Sequence, residues 1–173
     1  MDMTGEQRIP ARREQVWAAL NDPEILRQCI PGCQSIEKLS DTDMAAKVLL
    51  QVGPVRATFT GKVTLSDLDP PNGYKISGEG SGGVAGHAKG SARVRLKDDG
   101  PTATLLNYEV KADVGGKLAQ LGGRLIDSTA KKLAGEFFEK FGAVVGGAPA
   151  PAATKPAKRS LWQRILAWLF GRG

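Results

Sequence analysis

Apolar and polar residues alternate through most of the middle of the chain. Over residues 44–52 and 55–65 every second position is apolar or small, and most positions between them are polar. A period of two predicts strands with one buried and one solvated face. Further strands are predicted over residues 74–80, 88–96 and 103–114, with glycine- and proline-containing turns between them.

Before residue 30 the pattern predicts a short strand and two short helices. The strand covers residues 4–9, and Pro10 ends it. Apolar residues in residues 12–20 then recur at helical spacing. Asp22 can cap a second helix, and Pro23 suits the first position of that helix. This helix is expected to end near Cys29.

After Gly116 the spacing of apolar residues becomes helical again. One stripe predicts a long helix that ends at Gly142, and its members are Leu118, Leu121, Leu125, Leu133, Phe137 and Phe141. The order of elements predicts an α+β domain. In it the dry face of an antiparallel sheet of about six strands is covered by this helix.

The predicted dry face has unusually small side chains. By strand parity it includes Ala46, Ala57, Gly61, Gly78, Gly80, Gly90, Ala92 and Ala112. Small residues opposite the helix predict an interior ligand cavity. The alternative is a helix that packs closer to the sheet. The residues expected near a ligand are Phe59, Ile76, Tyr108, Leu121, Gly122, Leu125 and Ile126.

Composition divides the chain into three parts. Residues 1–142 form the predicted domain, and residues 143–159 are rich in alanine, proline and glycine, as in a linker. Residues 160–173 predict a basic amphipathic helix that lies in a membrane interface. Its membrane-binding residues are Leu161, Trp162, Arg164, Ile165, Leu166, Trp168, Leu169 and Phe170. A protein groove and the chain's own domain are the alternative docking sites.

The positive charge is concentrated in the last part of the chain. The formal net charge is +6, and five cations but no acid follow residue 154. A domain without its own basic excess is not expected to bind nucleic acid. The N-terminus has no secretory pattern and no stretch reaches the length of a membrane span, so a cytoplasmic location is expected.

Three short motifs suggest chemistry that their context does not support. The glycines of residues 78–83 match a dinucleotide pattern, but a strand rather than a helix is predicted to follow. Cys29 and Cys33 flank a turn, yet with His87 they provide only three metal ligands, fewer than structural zinc requires. His87 is the one histidine and is predicted to face solvent. We therefore predict no metal site and no catalytic residues.

Several segments together resemble the family of the carbon monoxide dehydrogenase G-subunit. They are IPARREQVWAALNDPEILRQCIPGCQSIEKL, VGPVRATFTGKVTLSDLDPP, GEGSGGVAGHAKGSARVRL and GGKLAQLGGRLIDSTAKKLAGEFFEKF. The resemblance covers about residues 1–142. It implies a helix-grip fold of the START/SRPBCC type, with a curved antiparallel sheet of six to seven strands around a long C-terminal helix.

The resemblance also implies a function. Members of the family accompany molybdenum hydroxylases, notably aerobic carbon monoxide dehydrogenase, and are thought to recruit them to the inner face of the cytoplasmic membrane. We expect a non-enzymatic accessory protein that holds no covalent cofactor and binds a lipophilic molecule such as a quinone, coupling its partner to the respiratory chain. The alternatives are a START-like enzyme of the cyclase or hydratase type and a lipid carrier without an enzyme partner.

Overall fold

A seven-stranded antiparallel sheet and a long C-terminal helix make up most of the domain. The computed structural model describes residues 1–146, so the predicted amphipathic segment at 160–173 and most of the predicted linker lie outside the described residues. The strands are β1 (Asp2–Ile9), β2 (Cys33–Lys38), β3 (Asp43–Val52), β4 (Val55–Asp69), β5 (Gly73–Ser81), β6 (His87–Asp98) and β7 (Thr104–Gly115). The helices are α1 (Arg13–Leu20), α2 (Pro23–Cys29), α3 (Lys117–Gln120) and α4 (Gly123–Gly146), and a 3-10 turn covers Gly83–Ala85.

The sheet is curved, and its strands lie in the order β1-β7-β6-β5-β4-β3-β2. Strands β2 to β7 therefore form a meander, and β1 pairs with β7 to complete the sheet. The α+β class, the curved antiparallel sheet and the covering helix are confirmed. The predicted cap is also present, since the Asp22 carboxylate accepts a hydrogen bond from the Glu24 backbone N–H at 2.9 Å.

Strand β2 was not predicted from the sequence. It lies at the edge of the sheet, pairs only with β3, and carries a bulge between Cys33 and Ser35. Only Cys33 and Ile36 of this strand are half-buried, and its other side chains are exposed. An edge strand buries little apolar surface, so its sequence shows little alternation of apolar and polar residues.

The predicted long helix is interrupted near its start. α3 ends at Gln120, Gly122 has a φ of +94°, and α4 begins at Gly123. A residue with positive φ cannot continue a right-handed helix, so the apolar stripe is divided between two helices. The end also differs from the prediction, because α4 continues past Gly142 to Gly146 and includes the first four residues of the predicted linker.

Two separate apolar clusters hold the helices against the inner face of the sheet. The first cluster joins α1, α2 and the C-terminal half of α4, and its largest fully buried side chains are Phe141, Ile9, Leu106 and Val16. The second cluster lies at the other end and is built from Val52, Phe59, Ala85 and Leu118, with Leu121 and Leu125 packed against it. α4 thus reaches from one cluster to the other, and the distance from Leu125 to Phe137 along the helix is about 18 Å.

Two adjacent glycines test the origin of the helix interruption. Gly122→Ala is expected to lower the free energy of unfolding by about 1 kcal/mol, because a Cβ is disfavoured at positive φ. Gly123→Ala is expected to leave stability unchanged or to raise it by up to about 1 kcal/mol, since this helical position has open space around it. Urea denaturation of both variants measures the difference, and equal effects would contradict this account.

Candidate functional site

A cavity of about 410 Å³ lies on the inner face of the sheet. Its volume falls in the range of small-molecule sites, roughly 300 to 1,000 Å³. It is lined by strands β3 to β7, and many of its lining residues have a cross-strand neighbour that also lines it. The inward-facing lining residues are Met44, Ala46, Val48, Leu50, Phe59, Gly61, Val63, Ile76, Gly78, Gly80, Ala88, Gly90, Ala92, Val110 and Ala112.

The cavity exists because small residues form continuous rows across the strands. One row pairs Ala46 with Gly61, Gly61 with Gly80 and Gly80 with Ala88. The next row pairs Gly78 with Gly90 and Gly90 with Ala112. Since these side chains end at or before Cβ, nothing extends from these rows to fill the space above them.

Close backbone approach explains why some of these positions are glycine. A Cβ built on Gly61 would lie 2.7 Å from the Glu79 carbonyl oxygen, and one on Gly78 would lie 3.0 Å from the Lys62 carbonyl oxygen. Gly80 differs, because the nearest atom to a Cβ there would be the Thr60 carbonyl oxygen, at an ordinary 3.5 Å. At Gly80 the backbone can therefore accept a side chain, and the glycine keeps the space above it open.

The cavity lining is almost entirely apolar. The lining residues with polar side chains, Lys62, Glu79, Lys89, Ser91 and Lys111, alternate with inward residues along their strands. Strand geometry therefore directs these side chains to the outer face, and they border the cavity through the backbone. The volume would hold about a dozen waters with few hydrogen-bond partners. Such a space favours an apolar occupant.

The structure brings only part of the predicted ligand-binding set to the cavity. Phe59 and Ile76 line it, and Phe59 also belongs to the second cluster. Leu121 and Leu125 pack against that cluster, next to the cavity. The remaining two helical candidates lie outside the lining: Gly122 is exposed in the helix interruption, and Ile126 is half-buried but belongs to neither cluster.

Tyr108 differs most from its predicted position. Its ring stacks on Phe138 with centroids 5.5 Å apart, and its hydroxyl end covers Gly5 on the neighbouring strand. The pairing of Tyr108 with Gly5 explains this, because the glycine leaves space for the ring. Correct strand parity therefore placed Tyr108 on the inner face, but the packing of β1 and α4 removes it from the cavity lining.

Several lining residues were not among the predicted site residues. Val48, Leu50, Val63 and Val110 form cavity walls beside the small residues. Their strand parity could have indicated this position, because each of the four lies on the same face as the alanines and glycines. Sequence reasoning gave no means of choosing which apolar residues lie beside the cavity and which lie in a packed cluster.

The two cysteines do not form an activated site. Both are free thiols. Burial raises the pKa of the Cys29 thiol to about 11, and the nearby Lys140 opposes this only in part. Burial also raises the pKa of Cys33, whose Sγ lies 3.5 Å from the Ser35 carbonyl oxygen. A raised pKa keeps a thiol protonated at neutral pH, so neither cysteine has the properties of a nucleophile.

The other motifs also find structural explanations. His87 is exposed, as predicted, and lies over Gly115 on the paired strand. The glycine motif forms the end of β5 and the 3-10 turn, and β6 follows directly without a phosphate-binding helix. Within residues 1–146, no three His, Cys, Asp or Glu side chains converge as a metal site would require.

Comparison with known proteins identifies the family. Residues 5–146 match the model of the carbon monoxide dehydrogenase G-subunit (CoxG) family. The chain belongs to this family. The match covers most of the chain and coincides with the described domain. No curated protein matches the chain at a significant level.

Solved structures similar to this CoxG-family chain agree on the fold. A conserved protein from Geobacillus kaustophilus is 30% identical with a TM-score of 0.79, over 84% of this chain and 95% of that one. A START superfamily protein from Mycobacterium smegmatis is 15% identical with a TM-score of 0.64, over 83% and 96%. The Zhui aromatase/cyclase from Streptomyces sp. R1128 is 13% identical with a TM-score of 0.59, over 83% and 92%.

In residues 1–146 no helix combines the length and the apolar character needed to cross a bilayer.

A substitution at Gly80 tests whether the cavity binds apolar molecules. Gly80→Leu places an isobutyl group in the cavity and should weaken binding of the neutral dye N-phenylnaphthylamine about tenfold. This is the loss expected when about two methylene equivalents of contact disappear, or about 1.6 kcal/mol. Fluorescence titration measures it. The control is Thr60→Leu, which places an isobutyl side chain on the exposed outer face of β4 instead. Equal affinity in the two variants would place the dye elsewhere.

Proposed function

We propose that this protein recruits a molybdenum hydroxylase of the carbon monoxide dehydrogenase type to the inner face of the cytoplasmic membrane. In this proposal the cavity holds a lipophilic molecule such as a quinone and presents it to the enzyme as electron acceptor. The observation that carries the proposal is the open apolar cavity between the two clusters, in a member of an accessory-protein family. The family name supports association with a carbon monoxide dehydrogenase complex.

The lining supports a binding role over catalysis. General acid–base chemistry requires a titratable group within hydrogen-bond reach of the reacting atoms. Among the described residues, the side chains directed into the cavity are apolar or absent. The Zhui aromatase/cyclase shares the fold, but a shared fold at 13% identity carries no reaction with it. We therefore propose a carrier and adaptor, not an enzyme.

A quinone suits the cavity and the proposed partner. Its isoprenoid chain is apolar and can replace poorly bonded water against the alanines, glycines and valines of the sheet floor. Its ring accepts two electrons and two protons to become a quinol. A dehydrogenase outside the bilayer could then pass electrons to a molecule that the membrane pool accepts.

Extraction of bound molecules tests the ligand part of this proposal. The full-length protein, purified gently from cells that contain quinones, should retain a lipophilic molecule in native mass spectra. Gly80→Leu combined with Ala92→Leu should reduce the occupied fraction at least tenfold, because both side chains enter the cavity. Thr60→Leu should retain the wild-type occupancy. An empty wild-type protein, or full occupancy in the filled variant, would contradict a cavity-bound ligand.

Vesicle binding tests the membrane part. The full-length protein should sediment with vesicles that contain phosphatidylglycerol, and more weakly as salt rises, because salt screens charge attraction. Trp162→Ser with Trp168→Ser should reduce the bound fraction strongly, and Arg164→Gln should weaken binding about fivefold, the equivalent of about 1 kcal/mol. If the tryptophan variant sediments like the wild type, residues 160–173 do not provide the anchor.

Capture of the partner separates recruitment from passive lipid transport. Immobilised full-length protein should retain the dehydrogenase from a lysate of cells that express both. Retention of lipid without any dehydrogenase would favour the lipid carrier.

A further inference from the structure

Alternate turns of the meander lie at opposite ends of the domain. The β3–β4 turn, the 3-10 turn between β5 and β6, and the connection from β7 through α3 to α4 are therefore neighbours. Residues in these segments confirm the contact: a Cβ on Gly86 would lie 3.3 Å from the Leu118 nitrogen, and one on Gly53 would lie 2.7 Å from Leu125 Cδ2. We call this end of the domain, formed by residues 51–57, 80–90 and 114–126, the glycine end.

Acidic residues are absent from the three segments of the glycine end and lie only at their borders, as Glu79, Asp113 and Asp127. No Asp or Glu occurs in its three segments, whereas Arg56, Lys117 and Arg124 are exposed and take part in none of the ion pairs of residues 1–146. Lys89 also lies in these segments, but it is not counted among the unpaired cations, because Glu79 and Asp113 are its cross-strand neighbours on the outer face.

The opposite end of the domain carries acidic residues. Its turns and the adjoining strand ends contain Asp41, Asp43, Asp67, Asp69, Asp98 and Asp99. Three of these acids are in ion pairs: Asp67 with Arg93, Asp98 with Arg13 and Asp99 with Arg8. The domain therefore has a positive end and an end rich in acids, although its total charge is small.

An apolar side chain projects from the same end as the unpaired cations. Val84, in the 3-10 turn, is 87% exposed, against 50% for Leu39 and 42% for Leu68, the other exposed large apolar residues in the described part of the chain. A Cβ at the preceding Gly83 would meet no atom within 4 Å, so the tip of the turn stands clear of the domain. An exposed valine near unpaired cations matches a membrane interface, where apolar groups enter the acyl region and cations contact phosphates.

The cavity lies directly behind this surface. Phe59 lines the cavity and also belongs to the second cluster, and a Cβ on Gly82 would lie 2.8 Å from its ring. The second cluster therefore separates the cavity from the projecting turn. A molecule leaving a bilayer at the glycine end would have only this cluster to pass.

We propose that the glycine end is a second membrane-contact surface, which inserts Val84 into the interface of an anionic bilayer and binds lipid phosphates through Arg56, Lys117 and Arg124. The inference rests on the membrane part of the proposed function and adds a contact made by the domain itself. It also orients the domain, because the second cluster, with the cavity behind it, then faces the bilayer.

The chain length between the two contacts allows both at once. α4 ends at the acidic end, where Gly146 packs against Pro10. β6, with 12 residues, indicates a domain length of roughly 40 Å. Residues 147–159 can extend at most about 45 Å, so the segment from residue 160 can reach a membrane that the glycine end touches.

Depth-dependent quenching tests the insertion of Val84. In a full-length background with Trp162→Phe and Trp168→Phe, which keeps the tail apolar, Val84→Trp introduces a probe at the glycine end. Leu39→Trp is the matched control at the opposite end. Vesicles contain phosphatidylglycerol and brominated phosphatidylcholine, and Trp17 adds a constant signal in both proteins. We expect quenching and a blue shift for residue 84 and neither for residue 39.

Charge variants test the phosphate contacts. Lys117→Gln with Arg124→Gln should weaken vesicle binding about fivefold for each cation. Lys131→Gln with Lys132→Gln removes two exposed charges from α4 outside the glycine end and should have little effect.

The outcomes distinguish this inference from the proposed function. If the chain sediments with vesicles but residue 84 is not quenched, the second contact is wrong and the tail anchor stands. If residue 84 is quenched and the tail tryptophan variant still sediments, the glycine end is the anchor and the tail proposal fails. If the charge variants reduce capture of the dehydrogenase but not vesicle binding, the glycine end binds an acidic protein surface and the membrane contact is overturned.

Discussion

Close approach of the strands is the constraint on which the cavity depends. At Gly61, Gly78 and Gly90 the neighbouring strand leaves no space for a Cβ; at Gly90, for example, it would lie 2.9 Å from Ala112 Cα. The sheet floor is therefore fixed as bare backbone at its centre, whatever the helix above it does. Large side chains pack together only at the two ends of the domain. The unfilled volume between these ends is a consequence of sheet geometry rather than of a missing core residue.

The sequence predicted the elements whose periodicity is driven by burial on one face. The alternation in β4 and β6 and the Asp22–Pro23 helix start were enough to place most of the domain. It did not predict β2, which buries little, nor the helix interruption, because Leu118, Leu121 and Leu125 continue the same spacing across Gly122. Periodicity reports which face is apolar, but it does not report the φ angle of a single glycine.

The cavity was easier to predict than its lining. Small residues at matching strand parity indicated open space, and register then aligned them into rows. The contacts of individual large residues depend on neighbours that are distant in sequence. Tyr108 packs against Phe138 and Gly5, and Leu121 and Leu125 pack against the second cluster. The acid-free end likewise emerged only when topology brought three distant segments together, since none of them is notable alone.

The two halves of α4 are held with unequal strength. Its C-terminal half contributes Phe137, Phe138 and the fully buried Phe141 to the first cluster, whereas its N-terminal half contributes Leu125 to the smaller second cluster and follows a glycine that interrupts the helix. Regions with few apolar contacts open locally at a lower free energy than the whole domain. Access to the cavity and resistance to global unfolding are therefore governed by different parts of one helix, so evolution can change the exchange rate of a bound molecule without changing the stability of the fold.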